Sequence, residues 1–460
     1  MTFDPSTYNA SQAPPFANPA GTLIDRTQGN LLVGIIQGGV NSPYGDGIYK
    51  LDKGAIQPRA GMAYDLSGSG RTMLRSGFGI YYDQPLVGVF EQNSFTMPPV
   101  VNNITFTNPT LANPASGQTS TTTGVRTISA TAPDFKNPRT TQWNVGVTHR
   151  FADWIIGEAS YVGSRGDNLI RPTDINYPDP ARVVALQSTV AGAVNPIRPY
   201  QSYGAITYRE TTAIARYHGL LTSTKIDAGR SGSVTLNYTL SRNRTDATND
   251  RDTLDIPQNP ANPEADYADA RTDRRHIFNG SFTYELPFFR DSGGVSEAVL
   301  GGWQVAGIVN ISSGQPMSRI AVLNDTFRRG TFADLVGDPM VGERFVNGIP
   351  YWFNADAFAP PAAGTFGNSG RAPFRQPGRH QWDLNFSKNF YPTESMRLQF
   401  RAELINAFDQ RQWLADPAVN GIDNSCTVSP TSCNVANDRF GQLLSTRAAR
   451  EIQLGLKVYW

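Results

Sequence analysis

Residues able to do chemistry are few in this chain, and their spacing works against them. The histidines are His149, His218, His276 and His380. No two of them stand at a spacing that lets a pair grip one metal ion or activate a neighbouring nucleophile. Ser67-Gly68-Ser69-Gly70-Arg71-Thr72 resembles a phosphate loop in composition, but the lysine and the spacing of such loops are missing. It reads as a β-turn. Asp246, Asp250, Asp252 and Asp255 crowd one segment with Asn249 and offer hard oxygen ligands of the kind calcium takes. The glycine and closing glutamate of an EF-hand loop do not follow. Asp266, Asp269 and Asp273 alternate with Arg271, Arg274 and Arg275 and read as a mutually neutralising rim. Cys426 and Cys433 are the only cysteines, with Thr-Val-Ser-Pro-Thr-Ser between them. A local disulfide in an oxidising compartment is the expectation, with free thiols as the alternative. No enzyme activity, metal or cofactor is expected from these residues.

Composition points the same way. Hydrophobic residues are 39% of the chain, below the roughly 45–50% of ordinary globular domains. Yet aromatics reach 11%, which disordered chains do not carry. Little core with many aromatics suits a protein whose outside meets lipid and whose inside is polar. A net charge of +1 gives no electrostatic footprint for a nucleic-acid partner. No run of 18 apolar residues exists, so no membrane helix is expected. The start, Met1-Thr2-Phe3-Asp4-Pro5, has neither the basic nor the apolar region of a signal peptide. The expectation is a piece of a longer gene product.

Strands must therefore position whatever function the chain has. Met396, Leu398, Phe400, Ala402 and Leu404 alternate with Arg397, Gln399, Arg401 and Glu403. Period two places one set on each face of a strand, whereas a helix would scatter both. The polar set, Arg397, Gln399, Arg401 and Glu403, is expected to line the wall of a barrel. Trp382–Phe390 alternates likewise, with Lys388 misplaced on the oily face. Near a strand end its stem is expected to snorkel to the headgroups. Similar segments start near Ala55, Arg71, Gln142, Trp154, Ala215, Ser233, Phe278 and Trp303. Ser202 to Arg209 can be read as a further strand but is placed inside a loop. The total is about eleven candidates of the 9–11 residues that a tilted transmembrane strand needs.

The connections alternate between short and long. Short ones fall at 67–70, 152–153, 229–231 and 391–394, with 287–300 a longer member. Long ones fall at 83–138, 164–213, 243–272, 314–378 and 409–445. An outer-membrane barrel with short periplasmic turns and long extracellular loops has this rhythm. Aromatics Phe288, Phe289, Trp303, Phe390, Tyr391 and Trp460 gather at the short-turn ends, as an interfacial girdle would. Loop aromatics such as Tyr203, Tyr208, Trp352, Phe353 and Phe358 should mostly pack the loops themselves. The final residues, Gln453-Leu454-Gly455-Leu456-Lys457-Val458-Tyr459-Trp460, alternate to the end. The pattern Gln453, Gly455, Val458, Trp460 is similar to the C-terminal insertion signal of bacterial outer-membrane barrels. The expected fold is all-β: an antiparallel transmembrane β-barrel with long extracellular loops. Residues 1–54 form an outside loop segment and 55–460 the barrel part.

Several stretches together resemble the TonB-dependent outer-membrane receptors, most closely the subgroup bearing a carboxypeptidase-regulatory-like domain. They include Pro58-Arg59-Ala60-Gly61-Met62-Ala63-Tyr64, Gly77-Phe78-Gly79-Ile80-Tyr81-Tyr82 and Tyr161-Val162-Gly163-Ser164-Arg165-Gly166. Further ones are Asp273-Arg274-Arg275-His276, Gly301-Gly302-Trp303-Gln304, Ser313-Gly314-Gln315-Pro316 and Phe400-Arg401-Ala402-Glu403-Leu404-Ile405-Asn406-Ala407-Phe408. The resemblance implies a 22-stranded barrel around an N-terminal plug, of which this chain is the C-terminal half. Plug and N-terminal strands would be absent. It also implies ligand-gated, TonB-driven uptake of a large nutrient, such as a glycan or peptide, across the bacterial outer membrane. The implied partners are outer-membrane lipid, the barrel-assembly machinery, an extracellular ligand of unknown identity, and the TonB complex through the missing N-terminal region.

Two other readings stay open at this point: an outer-membrane adhesin or structural barrel without transport, and a soluble secreted carbohydrate-binding protein. Removal of Trp460 discriminates on the membrane side. Its loss is expected to slow insertion of the full-length protein, read as the yield of assembled barrel over time. An unchanged yield would contradict the insertion-signal reading.

Overall fold

The computed structural model describes residues 1–97, 110–113, 122–248, 256–289, 293–317, 319–323, 331–416, 422–423, 425–427 and 439–460. Eleven long strands form one antiparallel sheet. They are β1 (Arg59–Asp65), β2 (Thr72–Tyr82), β3 (Arg139–Ala152), β4 (Ile155–Asp174), β5 (Tyr203–Asp227) and β6 (Gly232–Thr245). β7 (His276–Glu285), β8 (Trp303–Ser312), β9 (Arg379–Thr393), β10 (Met396–Ile405) and β11 (Glu451–Tyr459) complete it. Each strand pairs with its neighbours in chain order, so the sheet is an uninterrupted up-and-down meander. Among the described residues β1 pairs only with β2 and β11 only with β10, so the sheet has two free edges.

The register turns sequence alternation into two continuous faces. Leu398, Phe400, Ala402 and Leu404 stand opposite Val458, Leu456, Leu454 and Ile452. On the reverse face Arg397, Gln399, Arg401 and Glu403 stand opposite Tyr459, Lys457, Gly455 and Gln453. The same parity carries across the sheet: Phe282 lies between Val234 and Gly307, and Thr283 between Ser233 and Ala306. Apart from a few side chains such as Val309 and Lys388, the oily face is not buried by protein. Leu454 is 68% exposed and Leu456 63%. A soluble sandwich would bury this face against a second layer.

The short connections all lie at one end of the sheet. In the first, the Asp65 carboxylate accepts N–H bonds from Ser67 (3.0 Å) and Gly70 (2.6 Å), and Gly68 and Gly70 adopt positive φ. The glycine-rich stretch is thus a turn held by an aspartate, because only residues without a Cβ take those angles at no cost.

The long-loop end differs from the sequence expectation. β4 and β5 run on for 20 and 25 residues, well past the 9–11 that cross a bilayer. Ser202 to Arg209, expected within a loop, mostly belongs to β5. Thr207 pairs with Asp174, and Ile206 pairs in parallel with Ile128 of the short strand Arg126–Thr131. The alternation there is masked because both faces are covered. Phe3, Val33, Ile35 and Met97 pack with Ile128, Tyr203, Ile206 and Tyr208 in one cluster. Residues 1–54 accordingly dock on the extended hairpin.

A second cluster joins the loop after β8 to the loop after β10. Phe353, Phe358, Phe374 and Phe440 meet with ring centroids 4.8–6.1 Å apart. Among the described residues the water-excluding cores therefore lie at the long-loop end, in the loops and in the extension of β5 that they cover.

A matched pair of substitutions tests the two faces. Leu454→Arg puts a charge on the oily face near mid-strand, where it costs about 2–4 kcal/mol in lipid. Its neighbour Gln453→Arg points to the wall and should be tolerated. Heat-dependent gel mobility of the full-length protein should show assembly lost only for Leu454→Arg. Equal losses would overturn the facing.

Candidate functional site

The polar face of the sheet is the first candidate surface. It lines a cavity of about 730 Å³ whose walls include Thr283, Gln304, Asp383, Asn385, Arg401 and Lys457. Arg401 bonds Glu403 at 2.6 Å, and the same Glu403 oxygen accepts from Asn385 Nδ2 at 3.2 Å. Gln399 Nε2 donates to Asn389 Oδ1 at 3.2 Å, and the Arg397 guanidinium lies 4.1 Å from the centre of the Tyr459 ring. Gln381 Nε2 donates to both oxygens of Asp383. The four residues expected on the wall thus share one face and tie into a cross-strand ladder. Such a ladder presents donors and acceptors to water or a polar solute. It has no nucleophile paired with a base.

The histidines lie apart from this wall. His149, His218 and His276 sit on the oily face, bonded through Nδ1 to Thr72 Oγ1, Tyr161 Oη and Tyr238 Oη, each at 2.8 Å. Tyr161–His218 and Tyr238–His276 are equivalent diagonal pairs on neighbouring strand pairs, with rings 6.3 and 6.2 Å apart. The sequence analysis missed them, because a diagonal partner becomes visible only once the register is known. Among the described residues no group of three His, Cys, Asp or Glu side chains is arranged to hold a metal. Of the acidic segment, Asn249, Asp250, Asp252 and Asp255 lie outside the described residues.

Asp246 has a different role. It belongs to a buried charge network above the barrel region. Arg171, 2% exposed, donates to Asp246 Oδ2 (2.9 Å), Glu210 Oε1 (3.1 Å) and Thr212 Oγ1 (2.6 Å). Thr173 Oγ1 adds a bond to Glu210 Oε1, and Asp246 Oδ1 accepts the Ile214 N–H at 2.8 Å. Burial lifts the Asp246 carboxyl above its ordinary range, against the pull of the Ile214 N–H and the Arg171 charge. The network clamps β4, β5 and the end of β6 together. Arg371, from the loop after β8, donates to Thr245 O at 2.7 Å and ties that loop in.

The expected solvated rim forms only in part beside it: Asp266 and Asp273 are buried, and Arg242 and Arg375 from outside the segment join Arg275 at Asp269. Asp269 meets Arg242 (3.1 Å), Arg275 (3.0 Å) and Arg375 (2.7 Å). Against the opposing effect of burial, the Arg242 and Arg375 guanidiniums hold its carboxyl below the usual range. Asp266 is buried away from these cations, and burial pushes it up to about 6. Tyr203, Tyr208, Phe353 and Phe358 are buried in the loop cores, and Trp352 donates through Nε1 to Arg375 O at 2.6 Å. Phe353 and Phe358 pack the loops, as expected, whereas Tyr203 and Tyr208 lie on β5 and pack against the loops that cover it. Cys426 is fully buried in the loop cluster, while Cys433 lies outside the described residues.

Lys388 corrects a sequence expectation. It does not snorkel outward. The turn between β7 and β8 covers it, its Nζ donates to the Gly301 carbonyl, and it lies 5.0 Å from the Phe390 ring centre. A lysine breaking an oily alternation had a local partner, and the sequence showed the anomaly without showing the partner.

An oily outer face, a polar inner face, short turns at one end and packed loops at the other define a bacterial outer-membrane β-barrel protein. The chain belongs to the family described as outer membrane beta barrel domain, whose profile matches residues 1–453. No curated protein sequence matches it significantly. Among solved structures it is similar to the outer membrane transporter YddB from Escherichia coli, with 10% identity over 88% of this chain and 40% of that one, TM-score 0.44. It is also similar to the siderophore receptor PirA from Acinetobacter baumannii, with 13% identity over 88% of this chain and 40% of that one, TM-score 0.42. The chain spans about 40% of the length of these structures.

The clamp yields a test in the full-length protein. Arg171→Met strands the buried Asp246 and the half-buried Glu210, and breaking a buried pair such as Arg171–Asp246 costs about 3–5 kcal/mol. Protease should then cut the outer loops while the strands stay protected. Wild-type resistance in the loops would contradict the clamp.

Proposed function

We propose that the chain is part of the wall and outer vestibule of a TonB-dependent receptor that takes up a large nutrient, such as a glycan or peptide. The observation that carries this reading is a polar, hydrogen-bonded inner wall beneath an elaborate, well-packed loop assembly. A channel lining needs the first, and ligand capture at the cell surface needs the second. The motifs shared with the receptor family run in order along nearly the whole chain and favour the same reading.

Strand direction supports a complementary sheet. β1 and β11 both run toward the short-turn end. Two copies brought edge to edge would pair these strands in parallel. An antiparallel closure needs an odd number of further strands, which the eleven others of a 22-stranded barrel would supply. The plug and the TonB contact would belong to that same region. In this reading residues 1–54 lie outside the cell, and Gln453, Gly455, Val458 and Trp460 address the chain to the assembly machinery. Cys426 would pair with Cys433 on the oxidising side.

Transport is tested in cells making the full-length protein. They should accumulate labelled oligosaccharides or peptides only while TonB is present. Equal accumulation in cells lacking TonB would overturn the reading.

A further inference from the structure

The connection at 286–302 is unlike the other four at its end of the sheet. Those are tight turns, whereas this one contains a helix, Gly294–Leu300. Positive φ at Gly293, Gly294 and Gly302 bends the chain on both sides of the helix. Gly301 has no room for a Cβ, which would stand 2.6 Å from Phe289 O and 2.8 Å from Glu297 O.

Two side chains of the oily face hold the helix. Trp303 and Lys388 stand directly opposite each other across β8 and β9. Lys388 Nζ donates to the Gly301 carbonyl, just past the helix end, and Trp303 Nε1 donates to Val299 O at 3.2 Å. A cation at that end also complements the helix dipole. The helix is therefore moored by side chains of the oily face, and a cavity at its edge is lined also by Glu285 and Asn389 of the polar face. Four apolar side chains are nevertheless exposed: Phe288, Val295 (79% exposed), Val299 (52%) and Leu300. The loops at the other end bury many of their large apolar groups in cores, although others, such as Val87 and Phe345, are exposed there too. The patch at the helix continues the oily face through Tyr284, also exposed.

We infer that residues 286–289 and 293–302 form an in-plane membrane foot, which sinks Phe288, Val295, Val299 and Leu300 among the acyl chains of the leaflet at the short-turn end. Its occupant is phospholipid. A short apolar helix lying in an interface binds in proportion to the apolar area it buries. The foot widens the lipid contact of β7–β9, and Lys388 is its mooring. The inference rests on the barrel reading.

The test uses the full-length protein in phosphatidylethanolamine bilayers. A nitroxide on p-acetylphenylalanine replaces Val295 or Val299, and Leu456 on β11 serves as the lipid-facing control. Collisions with oxygen, which concentrates in lipid, are compared with collisions with a water-soluble nickel chelate. Oxygen preference at all three positions is the expected result. Nickel preference at 295 and 299 with oxygen preference at 456 overturns the foot and leaves the barrel standing. Nickel preference at all three overturns the barrel reading itself. Lys388→Met should increase label mobility at 295, and unchanged mobility would overturn the mooring.

Discussion

A backbone crossing hydrocarbon has no water to satisfy its N–H and C=O groups, so every one of them must find a partner in protein. That constraint organises this molecule. It demands long strands in unbroken antiparallel register, and the meander from β1 to β11 supplies them. It also demands tight turns at the end where strands reverse beside the membrane. Between the two edge strands the backbone is satisfied internally, and the side chains sort into an oily face and a polar face.

The same constraint ends where water begins, and the architecture changes there. Past the membrane region β4 and β5 need a different reason to stay paired. The Arg171–Glu210–Asp246 clamp and the aromatic cluster around Tyr203 provide one. Ionic groups buried this way are costly unless fully partnered, and here each carboxylate receives more than one donor. The result is a packed loop assembly on the extended ends of the sheet.

Much of this was legible in the residue order. The faces of β10 and β11 follow from alternation alone, because no second protein layer buries either face. The eleven strands and the alternation of short and long connections were readable for the same reason. At Ser202 to Arg209 a strand was legible but not its continuity with β5, since a strand covered on both sides loses the period-two signal. The clamp was also hidden: Arg171 and Asp246 are 75 residues apart, and only the register of β4, β5 and β6 brings them together. Lys388 stands between these cases, visible as an exception and explained only by the turn that covers it.

The central claim is that acyl chains solvate the outer face of the sheet. Proton cross-relaxation between lipid and protein, measured by solid-state NMR on the full-length protein in bilayers, addresses it directly. The methyl groups of Ile452, Leu454 and Leu456 should cross-relax with acyl-chain protons, while Lys457 should exchange magnetisation with water. Cross-relaxation of those methyl groups with water or with a second protein layer would contradict the account.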